Sequence, residues 1–192
     1  MTPDSGKSRS RRTLLLIAAI GLSPIIASYA AYYWFTPSKR VNYGELLETA
    51  PAPAIAGADA EGKAFALTDL RGKWVLLIAS RAGCADACTR ALYATRQART
   101  IQGREQDRIV RLLLLPQAAP TLAPEAAAAH PSLVIVKVDE RTLEQLPLGA
   151  STVAAVLLLD PLGNLVLRYD ADPDIRRLAN DLQRVLKASQ IG

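Results

Sequence analysis

From Thr13 to Phe35 the chain runs 23 residues without a charged side chain. As a helix rising 1.5 Å per residue this stretch reaches roughly 34 Å, enough to cross the ~30 Å hydrocarbon layer of a bilayer with some tilt. It therefore predicts one transmembrane anchor over residues 13–35. Pro24 inside it is compatible with lipid, where kinked helices are common, and five of the ten aromatic residues (Tyr29, Tyr32, Tyr33, Trp34 and Phe35) crowd its far end as an interfacial belt. Four bases precede the span and two follow it (Lys7, Arg9, Arg11 and Arg12, then Lys39 and Arg40). The positive-inside bias then puts a basic tail, residues 1–12, in the cytoplasm and the rest of the chain outside. In a bacterium this means a single-pass protein of the inner membrane with its domain in the periplasm. A competing reading is a cleaved export signal, from Ser10-Arg11-Arg12-Thr13-Leu14 and a cut near Ser28-Tyr29-Ala30. The apolar region is long for that role, and bulky aromatics follow the cut.

The anchor leaves about 150 residues, one ordinary domain. The net charge of +5 belongs to the membrane end, because residues 41–192 hold 17 bases and 17 acids. A neutral domain is not a nucleic-acid footprint. One histidine and two cysteines exclude zinc fingers and multi-disulfide scaffolds, and 50% apolar content excludes disorder.

Residues 36–62 are predicted to be a linker, since Thr49 to Gly62 is rich in proline, alanine and glycine without periodicity. A short strand is expected over Phe65 to Leu70, a turn at Arg71-Gly72-Lys73 and a buried strand over Trp74 to Ser80. Ala85 to Gln102 suits a helix with Ala87, Ala91, Leu92, Ala94, Ala98 and Ile101 inward, stopped at Gly103. Further strands are expected at Ile109 to Leu115 and Leu133 to Val138, with a helix start at Pro124-Glu125 and a short helix at Arg141 to Gln145. Thr152 to Leu159 and Leu165 to Tyr169 flank Asp160-Pro161-Leu162-Gly163-Asn164, a hairpin signal in which proline presets the turn and glycine accepts a positive φ. A last helix closes the chain at Pro173 to Ala188. This alternation predicts a mostly parallel sheet covered on both faces, ending in an antiparallel hairpin.

Cys84 and Cys88 fall where a buried strand ends and a helix begins, the edge at which α/β proteins place their sites. A helix N-terminus stabilises a thiolate, and Arg81 and Arg90 are expected to add to that. Residues four apart on a regular helix hold their Cβ atoms about 5–6 Å apart, whereas a disulfide needs roughly 3.8 Å. Cys84 must therefore lie off the helix if the two are to close. Such a bridge spans so few residues that it contributes only about 2 kcal/mol, which suits a labile redox pair or a metal clip better than a staple.

Residues 65–88 (FALTDLRGKWVLLIASRAGCADAC) resemble the redox or copper loop of the thioredoxin-like superfamily. They are specifically similar to the Sco/SenC family of membrane-anchored copper chaperones for cytochrome c oxidase. The three-residue spacing between the cysteines and Asp86 at its centre carry the likeness, together with Leu157 to Asn164 (LLLDPLGN), similar to that family's later strand and Asp-Pro turn. The resemblance implies an α/β thioredoxin-like domain over residues 63–192, a mixed sheet with flanking helices behind the single N-terminal transmembrane helix. It also implies that Cys84 and Cys88 form a redox pair and Cu(I) ligands, with a cytochrome c oxidase subunit or another assembly factor as client. No other cofactor-binding residue is implied.

The departures from that pattern are specific. The family's histidine ligand has no counterpart in Leu148 to Val156 (LGASTVAAV), and Ala85 and Thr89 stand where it has proline after each cysteine. A thioredoxin's cis-proline falls near Ala154. Met1, the only methionine, is remote in sequence, so Cu(I) would need a partner group or a second copy beside the two thiolates. Two other functions fit the same residues: a broader thiol-disulfide oxidoreductase and a non-catalytic interaction module with a residual disulfide. His130 reads as a helix C-terminal residue meeting the dipole, and Arg90, Arg96, Arg99, Arg104, Arg108 and Arg111 as a solvated basic face.

Overall fold

The computed structural model describes residues 5–34, 42–149 and 153–189. The chain divides into two units between Val41 and Asn42. The first contains one helix, α1 (Ser5–Trp34), with Pro24 inside it. Its stretch Arg11–Tyr33 is long and apolar enough to cross a membrane.

The second unit is built on one eight-stranded sheet. Its strands are β1 (Glu45–Pro51), β2 (Ala56–Asp59), β3 (Ala64–Ala66), β4 (Trp74–Ser80), β5 (Ile109–Pro116), β6 (Leu133–Val138), β7 (Ala154–Leu159) and β8 (Asn164–Asp170), in the spatial order β1-β8-β7-β4-β5-β6-β2-β3. The helices are α2 (Asp86–Ile101), α3 (Pro124–Ala128), α4 (Glu140–Glu144) and α5 (Ile175–Ala188).

Residue alternation sets the two faces. Trp74, Leu76 and Ile78 of β4, with Leu113 and Leu115 of β5 and Val156 and Leu158 of β7, pack under Cys88, Ala91, Leu92 and Ala98 of α2 and Leu178, Leu182 and Leu186 of α5. Val75, Leu77, Leu112, Leu114 and Leu157 face the other way, toward Ile55, Leu143, Leu146 and Leu148. Side chains that alternate between two covered faces explain why β4, β5 and β7 read as unbroken apolar runs.

Several expectations need correction. Only the β4–β5 and β5–β6 pairs are parallel; β7 joins β4 antiparallel, and β8, β1, β2 and β3 extend the sheet antiparallel. The sheet is therefore mixed rather than mostly parallel, because the late hairpin inserts β7 beside β4. The stretch read as a linker contains β1 and β2, strands at or near the sheet edges with little inward side-chain pattern, whose pairing comes from backbone hydrogen bonds. The strand expected over Phe65 to Leu70 ends at Ala66 and continues as a 3-10 turn, Leu67–Leu70. Ile101 is 59% exposed rather than inward. Thr152 lies outside the described residues. The hairpin forms as read: the Asp160 carboxylate accepts from the Leu162 and Asn164 N–H groups, and Gly163 sits at φ 91°.

Gly57 shows how closely β2 and β6 approach. A Cβ there would lie 2.1 Å from the Lys137 carbonyl oxygen and 2.9 Å from Val136 Cγ1. A backbone oxygen cannot swing aside as a side chain can. Gly57→Ala is expected to cost about 1–3 kcal/mol in urea unfolding by prising β2 and β3 from the sheet; an unchanged midpoint would show that β2 shifts freely.

Candidate functional site

The first three residues of β4's exit, Arg81 to Gly83, turn the chain from the sheet edge into α2. Gly83 takes φ +75° with its Cα toward Ala119 and Pro120, a conformation that a residue with a Cβ adopts only under strain. Ser80, fully buried, donates its hydroxyl proton toward the Gly83 carbonyl and also lies 3.3 Å from the Val153 carbonyl; the Arg81 N–H donates to that same carbonyl at 2.9 Å. One serine thus ties the cysteine loop to the segment entering β7. The sequence reading passed over it, although a lone hydroxyl closing a seven-residue buried strand was a readable signal.

Cys84 and Cys88 form a disulfide with Cα atoms 4.9 Å apart. Cys84 lies before the helix, whose N-cap is Ala85 and whose first residue is Asp86, so the pair closes as the spacing required. The two cysteines differ in burial. Cys88, on the inward face of α2, is 1% exposed, whereas Cys84 is half-buried and packs against the same core cluster. The alanine N-cap contributes no side-chain acceptor to the orphan N–H groups of the first turn.

The expected cationic neighbours are engaged elsewhere. Arg81 donates to the Leu143 carbonyl at 3.4 Å, and Arg90 pairs with Asp172 at 3.1 Å. Nor do the other arginines form one solvated face. Arg96 donates to the Ala129 carbonyl, Arg99 to that of Ile109, and Arg108 to those of Leu186 and Ser189. Arg111 is 1% exposed, with its guanidinium donating to the Leu92 carbonyl (2.8 Å) and Thr95 Oγ1 (3.3 Å) of α2. Burial, then the charges of Arg99 and Arg96, lower its pKa to about 10. Arg99 and Arg111 tie α2 to β5, Arg96 ties α2 to the end of α3, and Arg108 ties the 3-10 turn before β5 to the end of α5; Arg111 shares an inward register with Leu113 and Leu115, which the period-two pattern did contain.

His130 follows α3 but does not serve as a cation at its end. It is 9% exposed, its Nδ1 is buried without a partner among the described residues, and burial first, then Arg111 and Arg96, lowers its pKa below the ordinary 6.5. The unfolded chain therefore takes up a proton near pH 6.5 that the folded protein resists. His130 supports folding above that pH and progressively less as pH falls below it. Unfolding free energies measured from pH 7.5 to 5 are expected to fall faster for the native protein than for His130→Asn, by at most about 1.4 kcal/mol per pH unit for one proton. Parallel profiles would refute this.

For a soft metal ion the chain offers the two sulfurs. No group of three or more histidine, cysteine or acidic side chains is placed to hold a metal among the described residues. Two thiolates, released by reduction, suit Cu(I) in type but leave its remaining coordination to another molecule.

The profile of a family described as the transmembrane-like, thioredoxin-like, C-terminal domain matches residues 74–189. The chain belongs to this family. No curated protein matches it. Among solved structures, yeast Sco1 with copper bound aligns with a TM-score of 0.61 at 16% identity, covering 74% of this chain and 96% of that one. Bradyrhizobium japonicum ScoI with copper bound aligns at 0.54 and 18% identity, covering 70% and 99%. The thioredoxin domain of a thiol-disulfide oxidoreductase from Bacteroides vulgatus gives 0.54 and 22%, covering 73% and 99%. At these identities the likeness establishes the thioredoxin-like fold of this family member, a mixed sheet with flanking helices.

Proposed function

We propose that this protein is a membrane-tethered, Sco-like assembly factor whose Cys84–Cys88 pair exchanges electrons with the copper-site cysteines of a cytochrome c oxidase subunit or of another assembly factor. The observation that carries this reading is the disulfide itself, set at the strand-to-helix edge with Cys84 half-buried and Cys88 covered. In the reducing direction the Cys84 thiolate attacks a client disulfide, forming a mixed disulfide and releasing one client thiolate. The buried Cys88 then attacks Cys84, which restores the intramolecular bridge and frees the second client thiolate. Two electrons leave this protein and the client gains two thiols; the reverse sequence oxidises the client.

In this reading α1 is the anchor in a bacterial inner membrane, with the basic tail in the cytoplasm and the domain in the periplasm. The tether keeps the sulfurs at high effective concentration beside a membrane-embedded client. Copper enters as cargo: the reduced pair would hold Cu(I) through Cys84 and Cys88, with the client or a second copy completing the site. The copper-bound Sco structures that share the fold support this second use, and the lack, among the described residues, of a third histidine, cysteine or acidic ligand grouped with the two sulfurs favours thiol exchange as the principal one.

An anaerobic Cu(I) titration of the reduced protein against a competing chelator, with the Cys84→Ser/Cys88→Ser variant as control, separates the two. One cysteine-dependent ion that withstands the chelator supports copper carriage. Absence of such binding, with disulfide exchange toward a client peptide bearing two cysteines intact, leaves thiol redox alone. Oxidase assembly that survives the double serine variant in cells would overturn both and leave an interaction module.

A further inference from the structure

β4 ends on Ser80, which continues the register of Trp74, Leu76 and Ile78 and so lies on the face of the sheet that α2 covers. It is fully buried, in a strand whose other six residues are apolar. A hydroxyl in such a place must be bonded or it costs stability, and an alanine would fill the space without that demand. What the hydroxyl holds is the turn that carries Cys84. A serine has one proton to give. Two carbonyls lie within reach, but that of Val153 is 3.3 Å away and already accepts the Arg81 N–H at 2.9 Å. The proton therefore goes to the nearer one, the Gly83 carbonyl.

The Ala85 N–H donates to that same carbonyl at 3.2 Å, across a tight turn centred on Cys84. Ser80 thus fixes the near side of this turn to the end of a central strand, itself paired with β7 through Ala154. In the oxidised protein the sulfur–sulfur bond holds Cys84 to Cys88 whatever the turn does. After reduction that restraint is gone, and the two thiols stay at closing distance only as far as the backbone keeps them there. Order present before the bond forms raises the effective concentration of Cys88 at Cys84 and favours the disulfide. Cys88 is held independently by the buried face of α2, whereas Cys84 lies before the helix and depends on the turn.

We propose that Ser80 is the positioning residue of the pair: its bond to the Gly83 carbonyl keeps Cys84 beside Cys88 after reduction and so sets how readily the disulfide re-forms. The inference rests on the dithiol reading given above and assigns its redox balance to a side chain that touches neither sulfur's client.

The test equilibrates the full chain in detergent micelles with reduced and oxidised dithiothreitol in varied ratio and counts free thiols by alkylation. Ser80→Ala is expected to lower the equilibrium constant for disulfide formation about tenfold, the scale of one ordering hydrogen bond. For a two-electron couple this raises the reduction potential by about 30 mV. With a small aromatic disulfide, the second equivalent of reporter thiol is expected to leave about tenfold more slowly. The first is unchanged, because attack by Cys84 on a free reagent does not depend on where Cys88 lies. Ser80→Thr keeps the hydroxyl and is expected to stay close to the native values. Gly57→Ala, destabilised in β2 three strands from β4, is expected to keep both. A shift that Gly57→Ala shares would assign the effect to stability and overturn the proposal. The native protein gives a check that needs no folded variant: the Ser80 hydroxyl proton is expected as a slowly exchanging resonance in both redox states, and its loss on reduction overturns the proposal. Native potential and native second-step rate in Ser80→Ala overturn it too, while a native pair that still exchanges leaves the functional reading standing. A native disulfide that dithiothreitol leaves intact overturns that reading and this inference with it.

Discussion

Reduced Cys88→Ser protein, mixed with a small aromatic disulfide, is expected to form one stable mixed disulfide at Cys84, while Cys84→Ser reacts far more slowly. The asymmetry follows from access, since Cys88 is 1% exposed on the inward face of α2 and Cys84 is half-buried against the same cluster. In the native protein the adduct is transient, because Cys88 is already held where it closes the bridge. A correctly placed intramolecular group outcompetes a free one by large factors, so the lifetime of the adduct is expected to lengthen by on the order of 10³-fold or more in Cys88→Ser. Native protein should release two equivalents of reporter thiol, Cys88→Ser one, and the double variant none. If Cys84→Ser forms the adduct as fast as Cys88→Ser, the roles given to the two sulfurs are wrong.

Asp181→Ala is expected to be among the most destabilising single substitutions away from the cysteines, at about 3 kcal/mol in denaturant unfolding. Its carboxylate accepts from the Tyr43 and Gly44 N–H groups and lies 3.3 Å from the Tyr169 hydroxyl, all in the joint where the chain enters the sheet. Removing it strands buried donors, each costing about 1–3 kcal/mol when unsatisfied. The neighbourhood cannot close over the loss: a Cβ at Gly44 would already sit 2.6 Å from the Tyr169 ring. Burial, then Asp181, keeps the Tyr169 hydroxyl protonated well above the usual tyrosine range, so it remains a donor throughout the accessible pH span. Asp181→Asn retains an acceptor and is expected to recover part of the loss. A cost below about 1 kcal/mol for Asp181→Ala would show that water replaces the carboxylate.

The strands that form the sheet's centre were legible because their pattern is local. Trp74 to Ser80 and Ile109 to Leu115 are unbroken apolar runs of strand length, and α2 and α5 show a buried stripe at helical spacing. The strands at and next to the sheet edges were not legible. β1 (ELLETAP) and β2 (AGAD) present almost nothing inward, and their pairing depends on β8 and β6 being there to receive them. The cysteine pair was read from its spacing and its place at the strand end; Ser80 and Asp181 were not, since their partners lie in distant parts of the chain or in a turn whose geometry the tertiary fold sets.

By itself the sequence determined the membrane-length helix, the order of the central elements, the hairpin at Asp160 to Asn164 and the position of both cysteines at the mouth of α2. Each of these depends on residues within one turn or one strand of one another. Only the tertiary structure decided that β7 enters beside β4, making the sheet mixed, that Cys88 is covered while Cys84 is half-buried, and that most of the basic run ties helices to the sheet or to one another. The physical reason is shared: burial, strand partnership and the company of a charge are properties of surfaces brought together across the chain, and a one-dimensional pattern records which side chains can be buried without recording what will cover them.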